Sequence, residues 1–414
     1  MSNGTPIDNV HKSGDSNLLN GIKPSIARVL ERALEDREIS ADEALDLFSV
    51  SGREMKALLR VADELRRRAV GEVVTYVTVR NINFTNICYT GCRFCAFARR
   101  LDDSDAQFLS LTEVANRAEE AWQAGATEVC MQGGLHPSLP GNHYRDLILA
   151  IKERVPEMHV HAFSPFEIWY GAQRSGVNYA DFLASLKDAG LGSLPGTADE
   201  ILDTEIRRQL TKNKLSSEQW VEIITTAHRM DIPTTSTIMY GHVDGPRHWA
   251  QHISLLRDIQ KDTGGFTEFV PLGFVHYNAP IYLDGSARPG PTLAENLRMH
   301  AVARIMLHHF IPNIQVSWVK LGPEVAQRCL QGGANDFGGT LMDETISRSA
   351  GASHGQHIQP QEFHRMIRAI GRVPAQRNTL YELLRVYEDK LTAPQLEGDS
   401  GVREALVPRV RLRA

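Results

Sequence analysis

The sequence predicts an α/β protein, a (β/α)8 barrel of the TIM type with an N-terminal helical extension and a flexible C-terminal tail. Three features point there. Short β-branched runs alternate with amphipathic helical stretches about eight times, the pattern of βαβ units and a parallel sheet. The alternation fills roughly 270 residues, near the length such a barrel needs. Polar signals recur after nearly every strand, whereas a doubly wound open sheet gathers them at one switch point.

Residues 1–21 are polar and carry no apolar h-region, so they read as a flexible lead-in and not as a secretory signal. Residues 22–70 read as N-terminal helices. Ser40-Ala-Asp-Glu43 and Ser51-Gly-Arg-Glu54 are candidate capping boxes, and Gly71 suits a helix stop. Residues 71–390 carry the barrel and C-terminal helices. Val73–Val79 is β-branched and leads into Arg80–Phe84. Further strands are expected at Glu128–Gln132, His159–Phe163, Gly192–Leu194, Thr234–Met239, Glu268–Leu272, Ile314–Trp318 and Asn335–Phe337. Helices are expected at Thr112–Ala124, Tyr144–Arg154, Ala180–Ala189, Glu218–Met230, His248–Lys261, Leu293–His308 and Pro323–Gln331. Residues 391–414 turn polar and finally basic, and read as a loose tail.

Apolar residues make up 42% of the 414, enough for a sizeable core, and the net charge is -5. That mild acidity argues against nucleic acid, whose phosphates need clustered Lys and Arg. No apolar run is long enough to suggest a membrane span. The expected compartment is the cytoplasm, where thiols stay reduced. Five cysteines, three of them within eight positions, then suggest a metal site and not a disulfide framework.

The decisive segment is Cys88-Tyr-Thr-Gly-Cys92-Arg-Phe-Cys95, a C-x3-C-x2-C spacing directly after a strand. Three such thiolates can hold three irons of a [4Fe–4S] cube, which usually takes four cysteines. No fourth cysteine lies nearby in sequence, which leaves one iron for an outside ligand. Gly91 lets the loop wrap tightly. Three cysteines with a histidine could instead form a structural zinc site, though such sites usually build a small module and this loop tops a long βα array.

Asn81–Arg99 resembles the cluster loop of the CofH-type FO synthase subunits, radical S-adenosylmethionine (SAM) enzymes of deazaflavin coenzyme F420 biosynthesis. The resemblance continues through Met131–Gly134, His159–Pro165, Pro195–Leu202, Leu210–Leu215, Met239–Val243, Gly265–Leu272, Ser317–Gly322 and Gly333–Met342, and covers roughly residues 25–380. It implies a radical SAM barrel with a [4Fe–4S] cluster on Cys88, Cys92 and Cys95, and SAM on the open iron. It implies transfer of the 4-hydroxybenzyl group of L-tyrosine to 5-amino-6-(D-ribitylamino)uracil through a 5′-deoxyadenosyl radical, a glycine imine being released. It also implies an electron donor such as flavodoxin or ferredoxin, and contact with the FO synthase partner subunit. One cysteine cluster matches the standalone form of this subunit. A futalosine-pathway radical SAM enzyme of menaquinone synthesis and a non-catalytic zinc or iron–sulfur scaffold are the alternatives.

By resemblance, Gly133 and Gly134 sit where the family holds the SAM amino group, and Phe94 packs near the adenine. Glu167 and Glu200 follow strands and could bind an ammonium or cap a helix; for Glu200 the cap is the stronger reading. Tyr240, His242 and His276 end strands at the presumed mouth, and a histidine there could move a proton. Arg207 and Arg208 read as helix-surface arginines that could clamp a carboxylate. His159 and His161 share one face of a strand as substrate lining or core. Asn335 and Asp336 suit a polyhydroxy ribityl chain or a turn. Cys130 and Cys329 read as core.

Overall fold

The computed structural model describes residues 19–388. The lead-in expected over 1–21, apart from Leu19–Gly21, and the tail expected over 391–414 lie outside the described residues.

Three helices come first among the described residues: α1 (Pro24–Leu34), α2 (Ala41–Phe48) and α3 (Gly52–Val70). Ser40 builds the capping box, its backbone N–H donating to Glu43 Oε2 at 2.8 Å and its Oγ accepting from Glu43 N at 3.2 Å. Ser51 makes no side-chain cap, and Glu54 instead accepts from the backbone of Lys23 at 3.3 Å. Gly71 ends α3 at φ 68°, a conformation that favours glycine.

Eight staves then form a ring. β1 (Val73–Val77) breaks at Thr78 before β2 (Val79–Asn83), so the continuous strand expected over 73–79 is two. β2, β3 (Glu128–Gln132), β4 (His159–Ala162) and β5 (Leu191–Ser193) pair in parallel in that order. A Leu194–Thr234 bridge leads to β6 (Thr234–Tyr240), which pairs with β7 (Phe266–Gly273). Bridges Phe269–Ile314 and Gln315–Asp336 make residues 314–315 the seventh stave and lead to β8 (Asp336–Gly339). The ring closes where Asn81 N donates to Leu341 O at 2.9 Å and Val79 N to Thr340 Oγ1 at 3.0 Å.

The outer helices are α4 (Leu111–Gln123), α5 (His143–Arg154), α6 (Pro165–Ser175), α7 (Tyr179–Asp188), α8 (Thr204–Leu210), α9 (Ser217–Arg229), α10 (Pro246–Thr263), α11 (Pro280–Leu283), α12 (Leu293–Leu307), α13 (Trp318–Leu321) and α14 (Pro323–Leu330). Of these, α6, α8 and the short α11 and α13 were not expected. The N-terminal extension packs on this ring, α2 against α10 and α3 against α12, with Phe48 edge-on to Trp249 at 5.3 Å. Among the described residues no helix is long and apolar enough to cross a membrane.

After α15 (Ile346–Ser349) and α16 (Pro360–Ala369) the chain returns as strands where helices were expected. β9 (Val373–Arg377) pairs in parallel with β1, and β10 (Leu383–Val386) lies antiparallel to β9. This carries Arg377, Thr379 and Tyr381 beneath the barrel, where Arg377 and Thr379 help line the central cavity.

Candidate active site

A single cavity of about 450 Å3 runs from the cysteine loop down to the barrel floor, within the usual range of small-molecule sites. Alternate residues of each strand face it: Glu128, Cys130 and Gln132 on β3; Thr235, Thr237 and Met239 on β6; Glu268, Val270 and Leu272 on β7. Period two is what a pleated strand dictates.

Cys88, Cys92 and Cys95 all line its mouth. Their loop is tied by Cys88 N to Arg99 O at 3.0 Å, and the Arg99 guanidinium holds the carbonyls of Ala96, Phe97 and Ala98. Gly91 takes φ 67° at its turn. Thr90 Oγ1 sits 3.1 Å from Cys88 Sγ and 3.5 Å from Cys92 Sγ.

The donor set distinguishes a cube from a single ion. Thiolates on one tetrahedral zinc lie about 3.8 Å apart, given Zn–S bonds of about 2.3 Å. Among the described residues, the three metal-ligating side chains whose donor atoms all fall within 4.8 Å of one another are Asp36, His308 and His309, none of which lines the cavity. The three cysteine sulfurs do not all lie within 4.8 Å of one another and open on a shared cavity, which suits a [4Fe–4S] cluster better than one ion. Burial, then the neighbouring Cys92 and Cys88, push the Cys95 thiol up; bound iron would hold such thiols deprotonated.

Gly133 and Gly134 line the cavity beside this loop. A Cβ on Gly134 would lie 2.3 Å from Ile87 O and 2.9 Å from Cys88 Cβ, so only glycine lets the two segments meet. Gly133 N donates to Glu167 Oε1 at 2.9 Å. The other oxygen of Glu167 accepts from Ser164 N at 2.8 Å and Ser164 Oγ at 2.7 Å, the capping box of α6. Burial pushes Glu167 up to about 7. Glu167 therefore caps a helix and tethers Gly133 while lining the cavity.

Glu200 caps nothing. Helix α8 starts later, on Asp203, which accepts from Glu205 N at 3.0 Å and Ile206 N at 2.9 Å. Glu200 instead pairs with Lys214 in the cavity wall, with Arg207 at 3.7 Å. Lys214 in turn sits 5.1 Å over the ring of Phe94, which also lines the cavity. Arg207 is buried and not a surface residue: it donates to carbonyls of Ala198, Asp199, Ile201 and Leu215 and fixes this loop. Arg208 is exposed.

Three expected catalytic residues are not brought into the cavity. Tyr240 follows inward-facing Met239 and so points outward; its hydroxyl donates to Asn296 Oδ1 at 2.7 Å. His242 is buried and neutral, accepting from Val243 N at 2.7 Å on Nδ1 and donating from Nε2 to Met239 O at 2.9 Å. His276 packs between Tyr277 and Tyr282, ring centroids 4.1 and 4.4 Å away, outside the cavity lining. Asn335 accepts from Arg304 at 2.7 Å and Ile314 N at 2.8 Å, and Asp336 takes the fork of Arg377 at 2.6 and 3.1 Å. Both are structural and neither lines the cavity. Cys329 is core, but Cys130 faces the cavity, its thiol pushed up to about 12 by burial. His161 lines the cavity and shares Ser193 Oγ with His159, both contacts at 2.7 Å.

The cavity also holds groups that the sequence reading missed. Lys320 donates to Ser347 Oγ at 2.7 Å, while the nearby Glu344 spends both oxygens on Ser347 N. Two of the three N–H groups of Lys320 have no acceptor among the described residues, and burial lowers its pKa. Asp199, Glu128, Glu268 and Arg377 complete the charged lining. Lys214 and Lys320 lie within segments of family resemblance, the one signal that could have singled them out.

A closed parallel barrel with three cluster-spaced thiols at its C-terminal mouth defines a radical SAM protein, and residues 82–256 match the radical SAM superfamily. Residues 263–390 match the CofH/MqnC C-terminal region. The chain belongs to the CofH-type FO synthase family, whose superfamily implies a [4Fe–4S] cluster and SAM. It is 51% identical over 360 residues to the 5-amino-6-(D-ribitylamino)uracil–L-tyrosine 4-hydroxyphenyl transferase of Methanothermobacter thermautotrophicus, covering 87% of this chain and 98% of that protein. It is 56% identical over 361 residues to the FO synthase of Streptomyces avermitilis and 58% over 342 residues to that of Mycobacterium tuberculosis H37Rv, spanning 42% and 40% of their lengths. Methylornithine synthase PylB shares the fold, with a TM-score of 0.66 at 16% identity over 84% of this chain and 97% of its own. The hydrogenase maturase HydG of Carboxydothermus hydrogenoformans does so at 0.67 and 15%, over 89% of this chain and 83% of its own.

Proposed function

We propose that this chain transfers the 4-hydroxybenzyl group of L-tyrosine to 5-amino-6-(D-ribitylamino)uracil, a step toward FO and coenzyme F420. The observation that carries this reading is the match to the Methanothermobacter transferase over 98% of its length. When bound, the cluster and SAM together supply a 5′-deoxyadenosyl radical by one-electron cleavage of SAM.

The chain's own residues do the holding and shielding. Cys88, Cys92 and Cys95 would hold three irons, and the bare backbone at Gly133 and Gly134 would let SAM approach the loop. Lys214, neutralised by Glu200, lies beside Phe94 in the wall next to the cluster. Lys320 points its two unspent N–H groups at the carboxylate of tyrosine. The barrel wall keeps water and stray hydrogen donors from the radical. The electron comes from a flavodoxin- or ferredoxin-class donor, and the FO synthase partner subunit takes the product.

The test is an anaerobic assay of reconstituted protein with SAM, reductant, tyrosine and the diaminouracil, read by mass spectrometry. An adduct that needs both substrates, formed with 5′-deoxyadenosine, is expected. The C-terminal match is shared with MqnC-type chains, so a second reading is another radical SAM reaction on this scaffold, such as one of the futalosine menaquinone pathway. Deoxyadenosine without the adduct would favour it. A colourless protein without iron would overturn both.

A further inference from the structure

The cavity does not end at the radical centre. At the far end of the barrel its lining becomes acidic: Glu128 at the start of β3 and Glu268 near the start of β7, with Gln315 on the seventh stave. The floor beneath them is the segment after β9. Thr379 Oγ1 donates to Glu128 Oε2, and Tyr381 OH donates to Glu268 Oε2, which also accepts from Gln315 Nε2 at 2.9 Å. The Oε1 atom of each glutamate receives no hydrogen bond among the described residues and is not sealed from the cavity that it lines. Two deeply buried carboxylates thus each hold one oxygen open to an enclosed space.

The charges around them narrow what fits. Among the described residues Arg377 is the one cation lining this floor, and its fork goes to Asp336; it stands 3.6 Å from Glu268. His161, held by Ser193, is neutral, its pKa pushed down to about 3 by burial. Burial raises Glu128 and lifts Glu268 to about 7, and the Arg377 fork is already spent on Asp336, so the floor offers no free cation to a carboxylate or phosphate. An apolar ring would leave the open oxygens without donors, a costly arrangement in a low-dielectric site. The match is a neutral group rich in O–H donors.

We infer that this floor is the subsite for a polyhydroxylated alkyl chain, with Glu128 Oε1 and Glu268 Oε1 accepting from its hydroxyls. It rests on the transferase reading above, in which the ribityl arm of the acceptor is that chain. The placement anchors the acceptor at the floor and leaves its ring facing the upper cavity. It also replaces Asn335 and Asp336, which the fold spends on Arg304 and Arg377.

The test uses reconstituted full-length protein with SAM and compares Glu128→Gln and Glu268→Gln with the unsubstituted chain. Dissociation constants are measured by calorimetry for 5-amino-6-(D-ribitylamino)uracil, for 5,6-diaminouracil without the ribityl arm, and for L-tyrosine. Each variant is expected to weaken the ribityl compound about tenfold or more, the scale of a lost charged hydrogen bond, while affinity for the other two ligands holds. Glu128 feels the Arg377 charge but forms no ion pair with it among the described residues, so E128Q carries the test if E268Q fails to fold. Equal weakening of all three ligands, weakening of tyrosine alone, or unchanged affinity for the ribityl compound would overturn the assignment and leave the transferase reading standing. If the unsubstituted protein binds neither uracil, the transferase reading falls and the floor assignment falls with it.

Discussion

Cys92 and Lys320 show how single side chains set what this barrel can do. Replacing Cys92 with Ala removes one of the three proposed iron ligands at the cavity mouth, and Thr90 and Thr211 beside it cannot substitute as soft donors. The C92A chain is expected to fold, by circular dichroism, and to cleave no SAM; full cleavage would overturn the cluster assignment. Lys320→Gln removes a cation whose two open N–H groups face the substrate space. Its dissociation constant for L-tyrosine is expected to rise about tenfold, with that for tyramine, which lacks the carboxylate, unmoved. Equal loss for both amines would make Lys320 merely structural. That the three cysteines meet at one cavity was legible because their close spacing keeps them on one loop. Tyr240 and His242 were misplaced because residue type was weighed without strand parity. Once Thr235 and Thr237 face inward, Tyr240 must face out. Lys320 and Glu268 were invisible for another reason. Their roles depend on which neighbours are already spent, and no local pattern records that.

At the scale of elements, the site depends on how closely the loop after β2 meets the turn after β3. Gly134 is the contact: a Cβ there would fall 2.3 Å from a backbone carbonyl of the cluster loop, which has no flexible side chain to move aside. Gly134→Ala is expected to cost about 1–3 kcal/mol through overpacking. Iron incorporation should fall well below that of the unsubstituted chain while the helical signal persists; full iron loading at unchanged stability would count against this packing. The helices with one exposed face were readable, since their apolar residues recur at helical spacing. Helix α6 was not, because its first turns are buried nearly all round and show no polar stripe. Its signal was the Ser164-Pro-Phe-Glu167 capping box, with proline at the first helical position. Strand β9 was hidden by Pro374, which argues against a strand in any sequence reading. Only its pairing with β1, from Val73–Val373 to Val77–Arg377, reveals it.

For the whole molecule, that long-range pairing turns an open-ended barrel into a cup with a polar floor, and the fold keeps many titratable groups neutral inside. His159, His228, His252 and His300 have pKa values pushed down to about 4, and His161 to about 3, in each case chiefly by burial. The unfolded chain takes up protons on these histidines near 6.5, and the folded chain does not. Stability is therefore lost as pH falls from about 6.5 toward about 4. Glu167 and Glu268 act in the opposite sense. Burial raises both to about 7, so the folded state binds their protons first, and their contribution grows as pH falls and is lost as it rises through about 7. Burial also lifts Glu128 and Asp199 and pushes His308 down to about 4, so six histidines act against four acids over this window. The urea midpoint of the anaerobic protein is expected to drop between about pH 7.5 and about pH 5, by a few kcal/mol in unfolding free energy. A flat or rising midpoint would mean that the buried histidines bind protons in place. That would undo the neutral assignment of His161 at the cavity floor, and with it the lack of a free cation that makes the floor select hydroxyl donors over anions.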